Sequence, residues 1–83
     1  MAMRKQRETA WQNTSKVRGK NPNLYRRDVY GNEIYKPAYG KMGEKGWEVD
    51  HSNPKSRGGT DSSKNLHAMQ TLANRRKLDR YPY

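Results

Sequence analysis

Cysteine is absent from the 83 residues, and so is phenylalanine. Without cysteine there is no disulfide and no zinc–thiolate cluster to staple a small fold, a pattern that fits an intracellular protein. Leu, Ile and Val are scarce too, at four, one and three residues. Below roughly 20 % of Leu, Ile, Val and Phe, with high net charge, a chain defaults to disorder. No apolar run approaches the ~20 residues of a membrane span. The basic start Arg4-Lys5-Gln6-Arg7 leads into polar sequence, so no secretory signal is expected and a cytoplasmic location is. Acidic residues are the last shortage: eight Asp and Glu face eighteen Lys and Arg, leaving +10.

What is present pulls the other way. Two Trp and six Tyr bury much area per residue and can anchor a thin core. Seven Gly and four Pro are spread along the chain as turns rather than gathered in a low-complexity tract. One small folded domain is therefore expected. A chain this short buries only about 60 % of its unfolded surface, so its stability is expected to be modest. Its charge is unevenly distributed. Residues 1–46 hold eleven basic and four acidic residues, and residues 47–83 hold seven and four. Such an excess repels itself and calls for a polyanion, and nucleic acid comes first because phosphate neutralisation releases counterions. A membrane surface is not expected, because no basic amphipathic helix shows a bulky apolar face.

Residues 1–20 read as a basic arm or a short helix around 4–13, with Trp11 and Val17 its sizeable apolar groups besides Met1 and Met3. Asn21 and Pro22 look like the cap and first position of a short helix over 21–28. Gly31-Asn32 between apolar residues predicts a hairpin. Gly40, Gly43 and Gly46 predict a flexible loop. Trp47 to His51 alternates as a strand, 52–64 reads as loop, 65–70 as a second strand and 71–80 as a helix. The last third is thus a ββα unit, and the expected class is α+β in one small domain. Residues 1–20 form its N-terminal arm or helix, and 21–83 its main body.

That unit gathers chemistry. Asp50 and His51 end the first strand, Asn65 opens the second 14 residues later, and Asn74 lies on the helix 9 residues further on. Adjacent strand residues point to opposite faces, so convergence of Asp50 and His51 needs a bend or a strand end. A carboxylate and an amide oxygen suit a hard cation such as Mg²⁺, which keeps several waters and borrows phosphate oxygens. Imidazole is the side chain suited to take a proton near neutral pH, and a second group such as Asn65 can fix its free nitrogen. A metal and a base beside a basic surface point to phosphodiester hydrolysis. His67 reads as structural or exposed.

Val49-Asp50-His51, Pro54, Ser56-Arg57-Gly58-Gly59, Asp61, Asn65-Leu66 and Asn74-Arg75-Arg76-Lys77 together resemble the HNH, or ββα-metal, nuclease motif over about 47–80. Trp11, Pro22-Asn23, Tyr25-Arg26-Arg27-Asp28, Gly31 and Ile34 resemble, more weakly, small cysteine-free bacterial and phage members. The resemblance implies metal-dependent endonucleolytic hydrolysis of DNA that leaves 5′-phosphate and 3′-hydroxyl ends. It implies Asp50 and Asn74 as metal ligands, His51 as the general base and Asn65 as the group that orients His51 or braces the loop. The implied ion is Mg²⁺, with Mn²⁺ or Ni²⁺ as substitutes. Many members carry cysteine pairs that hold a structural zinc, one pair just before the final Asn, where this chain has Ala73. Zinc is therefore not expected. Ser52-Asn53 stands where the family prefers an apolar residue. Lys55, Arg57, Arg75, Arg76 and Lys77, with Arg4, Lys5 and Arg7 from the N-terminal segment, are the expected contacts to the nucleic-acid backbone. Two rivals stand beside this reading: an idle DNA-binding or packaging module, and an RNA-directed toxin whose 2′-hydroxyl nucleophile needs no metal. A homodimer is left open.

Overall fold

Trp11 and Trp47 meet with ring centroids 5.1 Å apart, and both are essentially withdrawn from solvent. The computed structural model describes residues 4–53, 58–60 and 62–77. In chain order they form α1 (Arg4–Gln12), β1 (Ser15–Lys16), β2 (Tyr25–Arg27), β3 (Glu33–Tyr35), β4 (Trp47–His51), β5 (Leu66–Gln70) and α2 (Thr71–Lys77). Strands β1, β2 and β3 make one antiparallel sheet, and β4 and β5 make an antiparallel hairpin. The class is α+β. Among the described residues no helix is long and apolar enough to cross a membrane.

Helix α1 is built from good helix formers and stops where side chains capture its last carbonyls. Thr14 Oγ1 donates to the Trp11 carbonyl at 2.6 Å. The Asn13 side chain turns away from the helix and donates through Nδ2 to the Ser63 and Leu66 carbonyls at 2.7 and 2.8 Å. Of the two conformations expected for the basic segment, residues 4–12 adopt the helical one. The buried Ala10 and Trp11 face Leu66 and Ala68, with Ile34, Trp47 and partly buried Tyr39 and Val49 completing the cluster. Tyr39 meets the Trp47 ring edge-on at 5.0 Å. Aromatic area thus replaces the missing aliphatic residues, which is how so little Leu, Ile and Val sustains a core.

The helix expected over 21–28 is not formed, and the reason is local competition for hydrogen bonds. Asn21 Oδ1 accepts from the Asn23 amide, and the Asn21 carbonyl accepts from Leu24 and Tyr25. The Pro22 carbonyl is taken by Trp11 Nε1 and Arg26 Nε, each at 2.9 Å. One turn forms, and the chain then pairs as β2 with β3. Arg26 is buried, and its other guanidinium nitrogens reach the Thr14 carbonyl and Gln12 Oε1 at 3.4 Å. The expected hairpin is present, and Gly31 supplies the left-handed φ of 85° in its loop. Buried Asp28 organises that loop. It accepts the Tyr30 and Asn32 amides through Oδ1, and Asn32 Nδ2 and the distant Gln70 amide through Oδ2. Lys20 and Lys45 converge on Glu33 at 2.7 and 3.0 Å, and these hydrogen bonds, led by that from Lys20, hold its carboxyl below the ordinary glutamate range.

The glycine-rich stretch 40–46 is pinned rather than flexible. Gly40 donates to the Trp47 carbonyl, Gly46 to Gly43, and Thr71 at the start of α2 donates to Gly46. A Cβ at Gly46 would land on the Lys41 carbonyl oxygen. Because that obstacle is backbone, Gly46→Ala is expected to destabilise the fold by about 1–3 kcal/mol, the usual range for overpacking. Urea unfolding of the two proteins measures the difference, and equal midpoints would show that the loop gives way.

Candidate active site

Strand β4 alternates, and its register with β5 decides what each face carries. Trp47, Val49 and His51 lie opposite Gln70, Ala68 and Leu66. Leu66 and Ala68 belong to the core beneath α1, so this is the face that α1 covers. Glu48 and Asp50 lie opposite Met69 and His67 on the other face. Helix α2 follows β5 without a gap and packs back across the hairpin. Asn74 Nδ2 donates to Glu48 Oε2 at 2.7 Å, which sets α2 against the Glu48 and Asp50 face. Arg75 joins through Nε to Glu48 Oε2 at 3.3 Å and through Nη2 to Oε1 at 3.5 Å.

Asp50 is buried, with 7 % of its surface exposed, and His51 is half-buried at the end of the strand. The bend that follows falls at Ser52 and Asn53, and side chains and backbone from the other strand hold it. The Asn65 carbonyl accepts the Ser52 amide at 2.9 Å. The Asn65 side chain accepts the Asn53 amide and donates to the Asn53 and Thr60 carbonyls, at 2.6, 3.0 and 2.6 Å. Both amide hydrogens of Asn65 are thus used to close the inter-strand loop. The polar Ser52-Asn53 pair, unusual against the motif, supplies backbone groups for that clamp. Gly58 sits in a turn at φ 88°.

The two residues expected to bind metal lie on separate elements. Asp50 lies on β4, and Asn74 lies on the helix that crosses the same face. Among the described residues no cluster of three or more His, Cys, Asp or Glu would hold a metal unaided. A carboxylate and a carboxamide are hard oxygen donors, and two of them leave most of a six-fold shell to water and phosphate oxygens. That donor set suits a hard divalent cation. His67 is half-buried as the register partner of Asp50. Glu48 is the residue that the motif did not single out. Its signal was its place two residues before Asp50, which puts both carboxylates on one face.

The expected backbone contacts are dispersed. Arg76 is exposed, and Arg75 is exposed while leaning on Glu48. Arg4 and Lys5 are exposed on α1, and the Arg7 guanidinium lies 4.8 Å from the centre of the Tyr39 ring. Arg4 and Arg7 line a cleft of about 270 Å³ with Glu8, Lys36, Tyr39 and Trp47. Trp47 opens β4 and His51 closes it, about 13 Å apart at strand rise. Lys55, Arg57, the Lys77 side chain, Pro54 and Asp61 lie outside the described residues, as does the stretch 78–80 expected to extend α2.

Two strands joined by a long loop, followed by a helix laid across one face, with Asp-His at the strand end and Asn on the helix, define the ββα arrangement of HNH nucleases. The family model for HNH endonucleases matches residues 28–83. The chain belongs to the HNH endonuclease family. Searches of curated proteins and of solved structures find no significant match.

Proposed function

We propose that this chain is a metal-dependent endonuclease that hydrolyses DNA phosphodiester bonds. The supporting observation is that Asn74 reaches from α2 to the face of β4 that carries Asp50. In this reading Asp50 and Asn74 hold a divalent cation, with Mg²⁺ the best match to two hard oxygens. When bound, that ion supplies Lewis-acid charge at a phosphate oxygen. His51 accepts the proton of the attacking water, and its imidazole suits the task near neutral pH. Asn65 acts on His51 through the backbone, because its clamp on Asn53 fixes the bend that ends β4. Arg75, Arg76 and Lys77 beside the site, Lys55 and Arg57 in the loop, and Arg4, Lys5 and Arg7 on the opposite side of the fold, neutralise phosphates along the duplex.

Supercoiled-plasmid cleavage across Mg²⁺, Mn²⁺ and EDTA tests the reading. Wild type is expected to cut with metal and to stop in EDTA. Asp50→Ala and Asn74→Ala are each expected to lose cleavage and to shift the metal requirement upward together. Binding without cutting in every metal would favour the idle module. Metal-free cleavage of RNA would favour the RNA-directed rival, since a 2′-hydroxyl nucleophile needs no cation.

A further inference from the structure

Glu48 receives three donors from α2 through one carboxylate: Asn74 Nδ2 at 2.7 Å, Arg75 Nε at 3.3 Å and Arg75 Nη2 at 3.5 Å. Its side chain is only 22 % exposed. An ionised carboxylate accepts hydrogen bonds and does not donate them. The branch of the Asn74 carboxamide that faces Glu48 is therefore the NH₂. The group is planar, so Oδ1 occupies the opposite branch and is turned away from Glu48. Glu48 and Asp50 share one face of β4 two residues apart, about 6.6 Å along the strand. A carboxamide released from Glu48 would flip freely and would offer its NH₂ to a cation in half of its orientations. An NH₂ cannot ligate a hard ion, whereas an amide oxygen can.

We propose that Glu48 is a positioning residue that locks the Asn74 carboxamide with Oδ1 free for the divalent cation, and that Arg75 holds Glu48 in place for that task. This rests on the reading of Asp50 and Asn74 as ligands and adds to it the element that selects the ligating atom. It also assigns Arg75 a task besides phosphate contact. Outer groups that orient a ligand typically carry 10–100-fold in metal affinity. An exposed ion pair that merely tacked α2 to the hairpin would contribute little to stability and nothing to metal affinity.

The test is calorimetric titration of Mn²⁺ into the full chain without DNA. It compares wild type with Glu48→Ala, Asn74→Ala, the double variant and Glu48→Gln, with circular dichroism on each. Glu48→Ala is expected to weaken binding 10–100-fold, and the double variant to be no weaker than Asn74→Ala alone. Glu48→Gln keeps the shape of the side chain and covers the case in which the alanine variant unfolds. Its amide can accept or donate, so it is expected to weaken binding less than alanine does. The Asn74 side-chain NH₂ resonances are expected to shift in Glu48→Gln without any metal present. A Glu48→Ala loss that persists undiminished in the Asn74→Ala background would make Glu48 a ligand itself and overturn the proposal. Unchanged affinity in both Glu48 variants, with Asn74→Ala weakened, would also overturn it and leave the ligand pair standing. Unchanged affinity in Asn74→Ala would instead remove the ligand pair on which the proposal rests.

Discussion

His51→Ala is expected to lower plasmid cleavage by about 10²–10⁴-fold, the usual contribution of a general base, while affinity for DNA stays near wild type. Two features of the fold separate these quantities. His51 is half-buried at the end of β4, where the strand gives way to the bend at Ser52 and Asn53, and is not a partner in the Glu48–Asn74 bond. Removing its imidazole therefore leaves the Glu48–Asn74 contact and the proposed ligand pair in place. The cationic residues assigned to phosphate contact are on α1, on α2 and in the inter-strand loop, so the charge that draws in the duplex is also untouched. The measurement is initial cleavage rate at saturating Mg²⁺ beside a binding isotherm in EDTA. Near-wild-type turnover in the variant would remove His51 from the mechanism. Loss of binding in parallel with loss of cutting would assign it to substrate contact instead.

The elements that hold the site were legible because their signals are local. Trp47 to His51 alternates, Gly31-Asn32 marks a tight connection, and residues 71–77 carry no breaker, so β4, the β2–β3 hairpin and α2 all appear near their expected places. Asp50, His51, Asn65 and Asn74 were singled out for a different reason: they occur in order with a glycine pair between them, and that order resembles a family. The misreadings come from hydrogen bonds, some local and some distant, that residue type and pattern do not reveal. Asn21-Pro22 has the chemistry of a helix start, yet Trp11 and Arg26 both claim the Pro22 carbonyl and the following residues pair into a sheet. Arg26, expected within that short helix, is instead buried, where backbone carbonyls and Gln12 satisfy it. Asp28, the last residue of that expected helix, accepts the backbone amide of Gln70, 42 residues away, and so ties the first sheet to the end of β5. Glu48 escaped notice although its place two residues before Asp50 puts both carboxylates on one strand face. Its significance comes from Asn74, 26 residues on.

These long-range ties also place the nuclease hairpin in a wider frame. The motif residues alone provide two strands and one helix, with α2 on one face only. The other face carries Leu66 and Ala68, and it is closed by Ala10 and Trp11 of α1, with Ile34 of β3 completing the cluster. The tryptophan pair and the Asn13 side-chain bonds to the Ser63 and Leu66 carbonyls hold that face against α1. The N-terminal segment is thus part of what keeps Asp50, His51 and Asn74 in register.

That dependence predicts the second large effect. Trp11→Ala is expected to cost about 3–5 kcal/mol, the range for truncating a buried aromatic residue. Trp11 is fully buried, stacks obliquely on Trp47 and donates to Pro22, so its removal opens a cavity and takes one of the two donors from the Pro22 carbonyl. A domain of 83 residues has about 4–12 kcal/mol of total stability at ~0.05–0.15 kcal/mol per residue. The substitution therefore removes a large share of it, and thermal unfolding followed by circular dichroism is expected to shift down steeply. Deleting residues 1–18 takes away α1, β1 and the buried Val17 as well. The truncated chain is expected to show no cooperative transition at all. Arg4→Ala with Lys5→Ala is the matching control, since both side chains are exposed. That pair is expected to leave the transition within about 0.5 kcal/mol of wild type while weakening DNA binding at low salt. A truncation that unfolds cooperatively near the wild-type midpoint would show that the hairpin and α2 stand without α1, and that the N-terminal segment acts only through its charge.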